Sequence, residues 1–435
     1  VLQQNSEVAI WGWGIPAEEI RITGSWNSTD TVTATAQNNS YWKATLQTGK
    51  AGGPYKLSIT GSSKITLENV MLGEVWICSG QSNMEWSFNH KIKDGDLEAA
   101  NASYPDIRIF HIPKIGHDYP QRDCQTKWTE CSPTTVRTTS ALAYFYSREL
   151  HQKLDVPVGI IVSAWGGTPA EVWLKKELVK DDPELNTASQ KIKEYKWWPN
   201  LPGVAYNGMI APVVPYGIAG AIWYQGESNV WASSTYCKLF RKMIENWRED
   251  FGHQFPFYYV QIAPFEYGDP GQKAYLLREQ QVKAMDIPNT GMVVISDLVD
   301  DVKNIHPLNK QDVGKRLAGW ALAETYGISG IAYKSPLYKS MEVEDGKIRI
   351  HFHHAENGLV CPDKKITHFK IAGADRQFTD AEARIEDHSV VVWNRKIKEP
   401  VAVRFAFDNA SIPNLFSSEG LPVSLFRTDN WKDVE

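Results

Sequence analysis

GEVWICSGQSNMEW, residues Gly73–Trp86, decides how this chain is read. Glu74–Cys78 is a short, mostly apolar run, the length of one buried strand. It breaks abruptly into Ser79-Gly80-Gln81-Ser82-Asn83, a turn of small and amide residues. Such a turn straight after a buried strand suits a hydroxyl held at the carboxyl edge of a sheet, with backbone N–H groups close by. A helical run beginning near Met84 would start behind Ser82 and turn its positive end toward an oxyanion forming there. The plainer reading of the same residues is a strand running into a polar helix cap, with Ser82 or Asn83 as the cap.

Outward from this stretch the rhythm differs on its two sides. Before it, Val8–Trp13, Glu19–Ser25, Thr31–Ala36, Tyr41–Leu46 and Tyr55–Thr60 read as short strands broken by turns, which suggests a small β-sandwich over residues 1–70. After it, apolar runs alternate with longer segments of helical period. The runs are Val158–Ser163, Ala219–Tyr224, Phe257–Ile262 and Met292–Ile295, preceded by Ile107–His111. Between them Tyr236, Leu239, Phe240, Met243, Ile244, Trp247 and Phe251 share one helix face, and Leu142, Tyr146, Leu150 and Leu154 share another. Lys310–Tyr326 is a further helix candidate. This alternation predicts an α/β domain over residues 71–330, a parallel sheet covered on both faces, with ligands at the carboxyl ends of its strands. Beyond it Lys347–His353, His368–Ile371, Ser389–Trp393 and Val401–Phe407 restore the β rhythm, so 331–435 is expected to be a β-rich region.

Composition narrows the function classes. The chain has 435 residues, enough for more than one domain, and its hydrophobic and charged fractions, 42% and 22%, are those of a globular protein. A net charge of −5 argues against nucleic acid as a partner. No apolar run is long enough to span a membrane. Aromatic planes stack on sugar rings, and 17 Trp and 18 Tyr tilt the reading toward carbohydrate, although large β-rich cores also use Trp. Val1 follows no charged n-region, and the expectation is a periplasmic or secreted protein whose leader is absent from the given chain. Of the five cysteines, Cys78 reads as a small core residue, Cys124 and Cys131 lie close enough in sequence to pair, and none has the spacing of a zinc site. No metal or other cofactor is expected, and oligomeric state is left open.

Three further strand ends carry polar clusters. Trp165-Gly166-Gly167-Thr168 follows one strand, and its glycines let backbone N–H groups approach a ligand. Gln225-Gly226-Glu227-Ser228-Asn229 crowds an amide, an acid and a second amide into one turn. The last segment runs from Asp297 to Pro307 and holds His306, in a polar loop with acids upstream, as a general base for Ser82 requires. A serine, a glycine turn, an amide-rich turn and a histidine on successive strand ends are the set that acyl transfer needs.

GQSNMEW (Gly80–Trp86), WGGTPAEVW (Trp165–Trp173), WYQGESN (Trp223–Asn229) and IHPLNKQDVGKRLA (Ile305–Ala318) resemble the sialate O-acetylesterase family of the SGNH-hydrolase superfamily. VLQQNSEVAIWGWG at the start and EGLPVSLFRTD near the end also resemble it, so the likeness spans nearly the whole chain. It implies a flavodoxin-like α/β/α sandwich with accompanying β-sandwich domains, and a serine esterase that removes O-acetyl groups from sialic acids. It also implies Ser82 as nucleophile, His306 as base, and the N–H groups of Ser82 and of Gly167 or Gly166 as oxyanion donors, with the Gln225 side chain as a further donor. Trp86 and Asn229 are expected to bind substrate. Superfamily members usually place an Asp three residues before the His, and many sialate esterases place it two before; here those positions are Lys303 and Asn304. The third triad member is therefore open among Glu227, which is favoured, Asp301 in the histidine's own loop, and a Ser–His dyad without an acid. The same family pattern includes enzymes that deacetylate xylan. A reading from another class is a carbohydrate-binding protein built around a dead hydrolase domain, which the missing Asp motivates.

Overall fold

The computed structural model describes residues 1–431. Seven strands make the central sheet: β1 (Lys64–Gly80), β2 (Tyr104–His111), β3 (Trp128–Cys131), β4 (Val158–Ala164), β5 (Gly220–Tyr224), β6 (Phe257–Val260) and β7 (Thr290–Val293). Their order is β7-β6-β5-β1-β4-β2-β3, parallel throughout except for the antiparallel β2–β3 pair. β4 and β5 are buried along their whole length and read as apolar runs because helices cover both faces. Trp76 packs edge-on to Tyr146 of α2 (Ala141–Leu154), and Tyr258 lies beside Trp320 of α5 (Lys310–Trp320) on that same face. Trp223 and Tyr259 face the other way, against Phe240 of α3 (Tyr236–Phe251). The apolar spacing predicted for α3 is the face it buries.

Two expectations about the central stretch change. β1 is far longer than a five-residue strand, because its first half, exposed and of mixed polarity, is held by antiparallel pairing with Gly52–Thr60 instead of by burial. The helix behind Ser82, α1, is a single turn, Ser82–Glu85. One turn aligns too few peptide dipoles to act as a helix terminus. Lys310–Tyr326 is regular only to Trp320 and continues as a wider turn over Ala321–Thr325.

β1 also joins two cores. Leu72 packs with Val8, Ile10, Ile22, Trp42, Leu46 and Leu57 in an N-terminal β cluster, whereas Val75, Trp76 and Ile77 belong to the central core. At the other end, two four-stranded antiparallel sheets enclose a third cluster that includes Ile350, Val390, Phe369, Val403 and Phe405. This β region is tied to the central unit by Arg427, whose guanidinium meets Glu279, at 2.7 Å from Nε, on α4 (Ala274–Lys283), and by Ser424, which accepts from Gln261 Nε2 at 3.1 Å. Cys124 and Cys131 are free thiols. Among the described residues no helix is long and apolar enough to cross a membrane.

The register sets up the site. Gly80 is level with Ala164 on one side and Tyr224 on the other, so the turns after β1, β4 and β5 leave the sheet in one layer. The chain passes from β1 to neighbours on both of its sides, which makes this edge the crevice where ligands of open α/β sheets bind. Gly80, at φ +141°, is required here: a Cβ would lie 2.2 Å from the Tyr224 carbonyl oxygen.

Candidate active site

Ser82 leaves the end of β1 at the first position of α1. The residue in the cap position is Gln81, and it makes no side-chain capping bond, so the hydroxyl of Ser82 is not spent on a helix end. Its Oγ lies 2.9 Å from Nε2 of His306. The backbone N–H groups of Ser82 and Gly167 meet no acceptor among the described residues. The N–H of Gly166 is different: it donates to Glu85 Oε2, and the same carboxylate holds Lys114 at 2.7 Å. Gly166 itself faces the serine, since a Cβ there would stand 3.3 Å from Ser82 Cβ.

His306 is placed by three contacts. Its backbone N–H donates to Asn304 Oδ1 at 3.0 Å. Its Nε2 meets Ser82. Its ring stacks on Trp86 with centroids 4.0 Å apart and planes 21° from parallel. Trp86 also stacks on His90, at 5.0 Å and 17°. Burial, then the positive charge of Lys310, then His90 hold the imidazole pKa down to about 4, so the neutral base dominates at neutral pH.

Neither acid expected behind the histidine reaches it. Asp301 Oδ1 accepts the Lys303 N–H at 2.9 Å and closes its own turn. Glu227 Oε1 accepts from Asn83 Nδ2 at 2.7 Å, beneath the serine turn and not behind the imidazole. Among the described residues no carboxylate hydrogen-bonds His306. The physical reason for the miss is that a turn after β5 can bury its acid against β1 as readily as present it to the crevice.

Gln225 is likewise turned inward. Its Nε2 donates to Asn229 Oδ1 at 2.7 Å and Thr168 O at 3.2 Å, and its Oε1 accepts from Tyr236 Oη at 2.9 Å. Both amide donors are used and the side chain is fully buried, so the structure does not turn it toward the crevice where an oxyanion donor was expected. Asn229, expected to bind substrate, is buried too. It accepts the Ala170 N–H at 2.9 Å and donates to Glu171 Oε2 at 2.8 Å, which pins the turn that carries Gly166 and Gly167. Trp86, also expected to bind substrate, is half-buried and stacks on two imidazoles, those of His306 and His90.

Three residues that the sequence did not single out complete the site. Lys310, fully buried at the start of α5, donates from Nζ to Asn83 Oδ1 at 2.6 Å. Asn83 Nδ2 donates to Glu227 and also to Ile305 O at 3.0 Å, one residue before the histidine. The amide of Asn83 thus clasps the serine turn to the histidine loop, with a cation on its oxygen and a carboxylate on its nitrogen. Burial lowers the Lys310 pKa to about 7 and raises that of Glu227. The third is Glu85. A lysine at the head of a helix reads as solvated, and only the fold shows it enclosed. Among the described residues no group of three His, Cys, Asp or Glu side chains is placed to hold a metal ion.

Residues 72–324 match the family model described as "Carbohydrate esterase, sialic acid-specific acetylesterase". The chain is 30% identical to human sialate O-acetylesterase over 384 residues, 79% of this chain and 72% of that protein. It is 29% identical to the mouse sialate O-acetylesterase over 404 residues, 79% and 75% of the two chains. A crystal structure described as a novel carbohydrate acetylesterase from Xanthomonas citri superposes with a TM-score of 0.90 at 34% identity, covering 99% of this chain and 97% of that one.

Proposed function

Because the chain belongs to the sialic acid-specific acetylesterase family of carbohydrate esterases, and is on that ground a carbohydrate O-acetylesterase, we propose that it removes acetyl groups from O-acetylated sialic acids with a Ser82–His306 dyad. The observation that carries the mechanism is the 2.9 Å contact between Ser82 Oγ and His306 Nε2, with unengaged N–H groups of Ser82 and Gly167 beside it. Ser82 Oγ attacks the acetyl carbonyl carbon as its proton passes to His306 Nε2. The two N–H groups donate to the oxygen as it gains charge. His306 returns the proton to the sugar oxygen, the C–O bond breaks, and the acetyl group stays on Ser82. Water then gives a proton to His306, attacks the acetyl-enzyme, and acetate leaves as Ser82 recovers its proton. Trp86 fills the orienting part of an acid by stacking on the imidazole, and supplies none of its charge.

The experiment is acetate release from O-acetylated sialic acid beside acetylated xylo-oligosaccharides. Ser82→Ala is expected to lower kcat on either by several orders of magnitude with the fold retained. Residual activity above a few per cent removes Ser82 from the nucleophile's place. Turnover of the xylo-oligosaccharide alone moves the substrate from sialic acid to hemicellulose.

A further inference from the structure

With Trp86 and Asn229 occupied, the sugar needs another surface. The loop 190–200, QKIKEYKWWPN, lies directly against the glycine turn. Gly167 has φ +82°, and a Cβ there would come within 2.2 Å of the Trp198 ring, so the indole covers the Gly167 backbone next to the reacting serine. The Trp165 Nε1–H donates to the Trp197 carbonyl at 3.3 Å, a second tie to the same turn. Tyr195 and Trp198 form an isolated bridge, and their rings stand 4.6 Å apart. Ile192 anchors the loop's base in a small buried cluster with Ala188 and Ala232. The loop is therefore built, and yet it leaves Trp197 79% and Tyr195 52% exposed. Aromatic area left in water beside a catalytic serine marks an interaction surface.

Its charge is as selective as its shape. Lys191, Lys193 and Lys196 stand in the loop against Glu194 alone, in a chain whose net charge is −5. All three are exposed, and among the described residues no carboxylate pairs with them. Lys193 Nζ sits 4.2 Å above the Trp231 ring, which brings a cation over a second aromatic face.

We infer that residues 190–200 form the sugar subsite of this esterase, with Trp197, Trp198 and Tyr195 as the platform for a pyranose ring and Lys193 and Lys196 as the partners of a carboxylate on it. The inference deepens the acetylesterase reading and rests on it. An acidic sugar is the class that uses both halves of the loop. A neutral acetylated sugar would use only the rings.

The test compares Trp197→Ala and the double variant Lys193→Gln/Lys196→Gln on three esters: O-acetylated sialic acid, an acetylated xylo-oligosaccharide and 4-nitrophenyl acetate, which has no pyranose. Trp197→Ala removes a side chain that makes no hydrogen bond and keeps the carbonyl that meets Trp165. It is expected to raise KM on the sugar esters about tenfold with kcat kept. The ratio of kcat/KM on a sugar ester to that on 4-nitrophenyl acetate should fall by the same factor. The lysine variant is expected to raise KM on acetylated sialic acid alone, and the difference from the parent should shrink at high salt. A sugar KM within twofold of the parent in Trp197→Ala, or an equal loss on 4-nitrophenyl acetate, overturns the platform. An equal lysine effect on both sugars overturns the carboxylate contact. If the parent enzyme deacetylates only the xylo-oligosaccharide, the sialic acid reading fails and takes the lysine contact with it, while Trp197→Ala on that neutral ester still decides the platform.

Discussion

His306 has a tryptophan against its ring and a lysine nearby where an acid is usual, and this sets the pH range over which it can accept a proton. A positive neighbour and burial both disfavour the imidazolium. The base must be neutral to act, so kcat/KM should rise as pH climbs through about 4 and be level well before the ordinary histidine value near 6.5. A profile whose acid limb falls at 6 or above would mean that a carboxylate compensates the ring in solution. Ser82 and His306 were legible in the sequence because each stands in a polar cluster right after an apolar run. The partner of the histidine was not. Trp86 lies four residues past the serine, and in one dimension a tryptophan there reads equally as a sugar platform or as a clamp. Only the stacking distance separates the two. Gln225 and Asn229 misled for a related reason: a polar residue at a strand end can turn toward the crevice or hold the turn together from inside.

Two short elements carry the geometry proposed for catalysis. The head of α5 delivers Lys310, which holds the amide of Asn83 that ties the serine turn to the histidine loop. Lys310→Met removes the cation that helps hold the imidazole pKa down, so the acid limb of kcat/KM should move upward toward the ordinary imidazole value. An unmoved limb would show that burial and His90 set it without Lys310. The turn after β4 is the second element. Gly167→Ala would force an alanine into left-handed backbone, at roughly 1–2 kcal/mol, and push its methyl group into Trp198. The expected result is a lower urea midpoint and at least a tenfold fall in kcat/KM on a sugar ester; parental kinetics would mean that the turn adjusts freely. Regular elements such as α3 were legible because one apolar face repeats over four turns. α1 was not, since a helix of one turn has no period to read and its residues are placed by the site around it.

At the scale of the whole molecule the three cores are stitched together through a few buried groups. Glu74 is buried in β1, and it is held by Gln3 at 2.9 Å, Gln4 at 2.7 Å and Tyr326 at 2.8 Å. Deleting residues 1–63 would strip two of those donors, unpair Lys64–Val70 and uncover Leu72. A buried carboxylate stripped of two of its three donors and an open strand edge are each strongly destabilising. The truncated chain is expected to be insoluble or inactive, and the intact protein should lose its N-terminal β unit and its esterase activity in one calorimetric transition. A soluble, active 64–435 fragment would contradict this. The general plan, β then α/β then β, was readable from the change of rhythm along the chain. The continuity of β1 across the first change was not, because Lys64, Thr66, Glu68 and Asn69 interrupt any apolar run and only their antiparallel partner shows that they extend the strand.

That continuity has a mechanical meaning. β1 is a single tie of 17 residues, roughly 55 Å of extended backbone, anchored in one sheet at its start and ending in the turn of the proposed nucleophile. A pull on the N-terminal β unit travels to Ser82 along covalent bonds without crossing a single weak joint. The C-terminal β region is joined to the central unit by the chain after α5 and by contacts such as Arg427–Glu279, and none of its strands continues into the turn that carries Ser82. Tethered to a surface by its N-terminal strands, the protein would carry tension along β1 to the turn that holds Ser82.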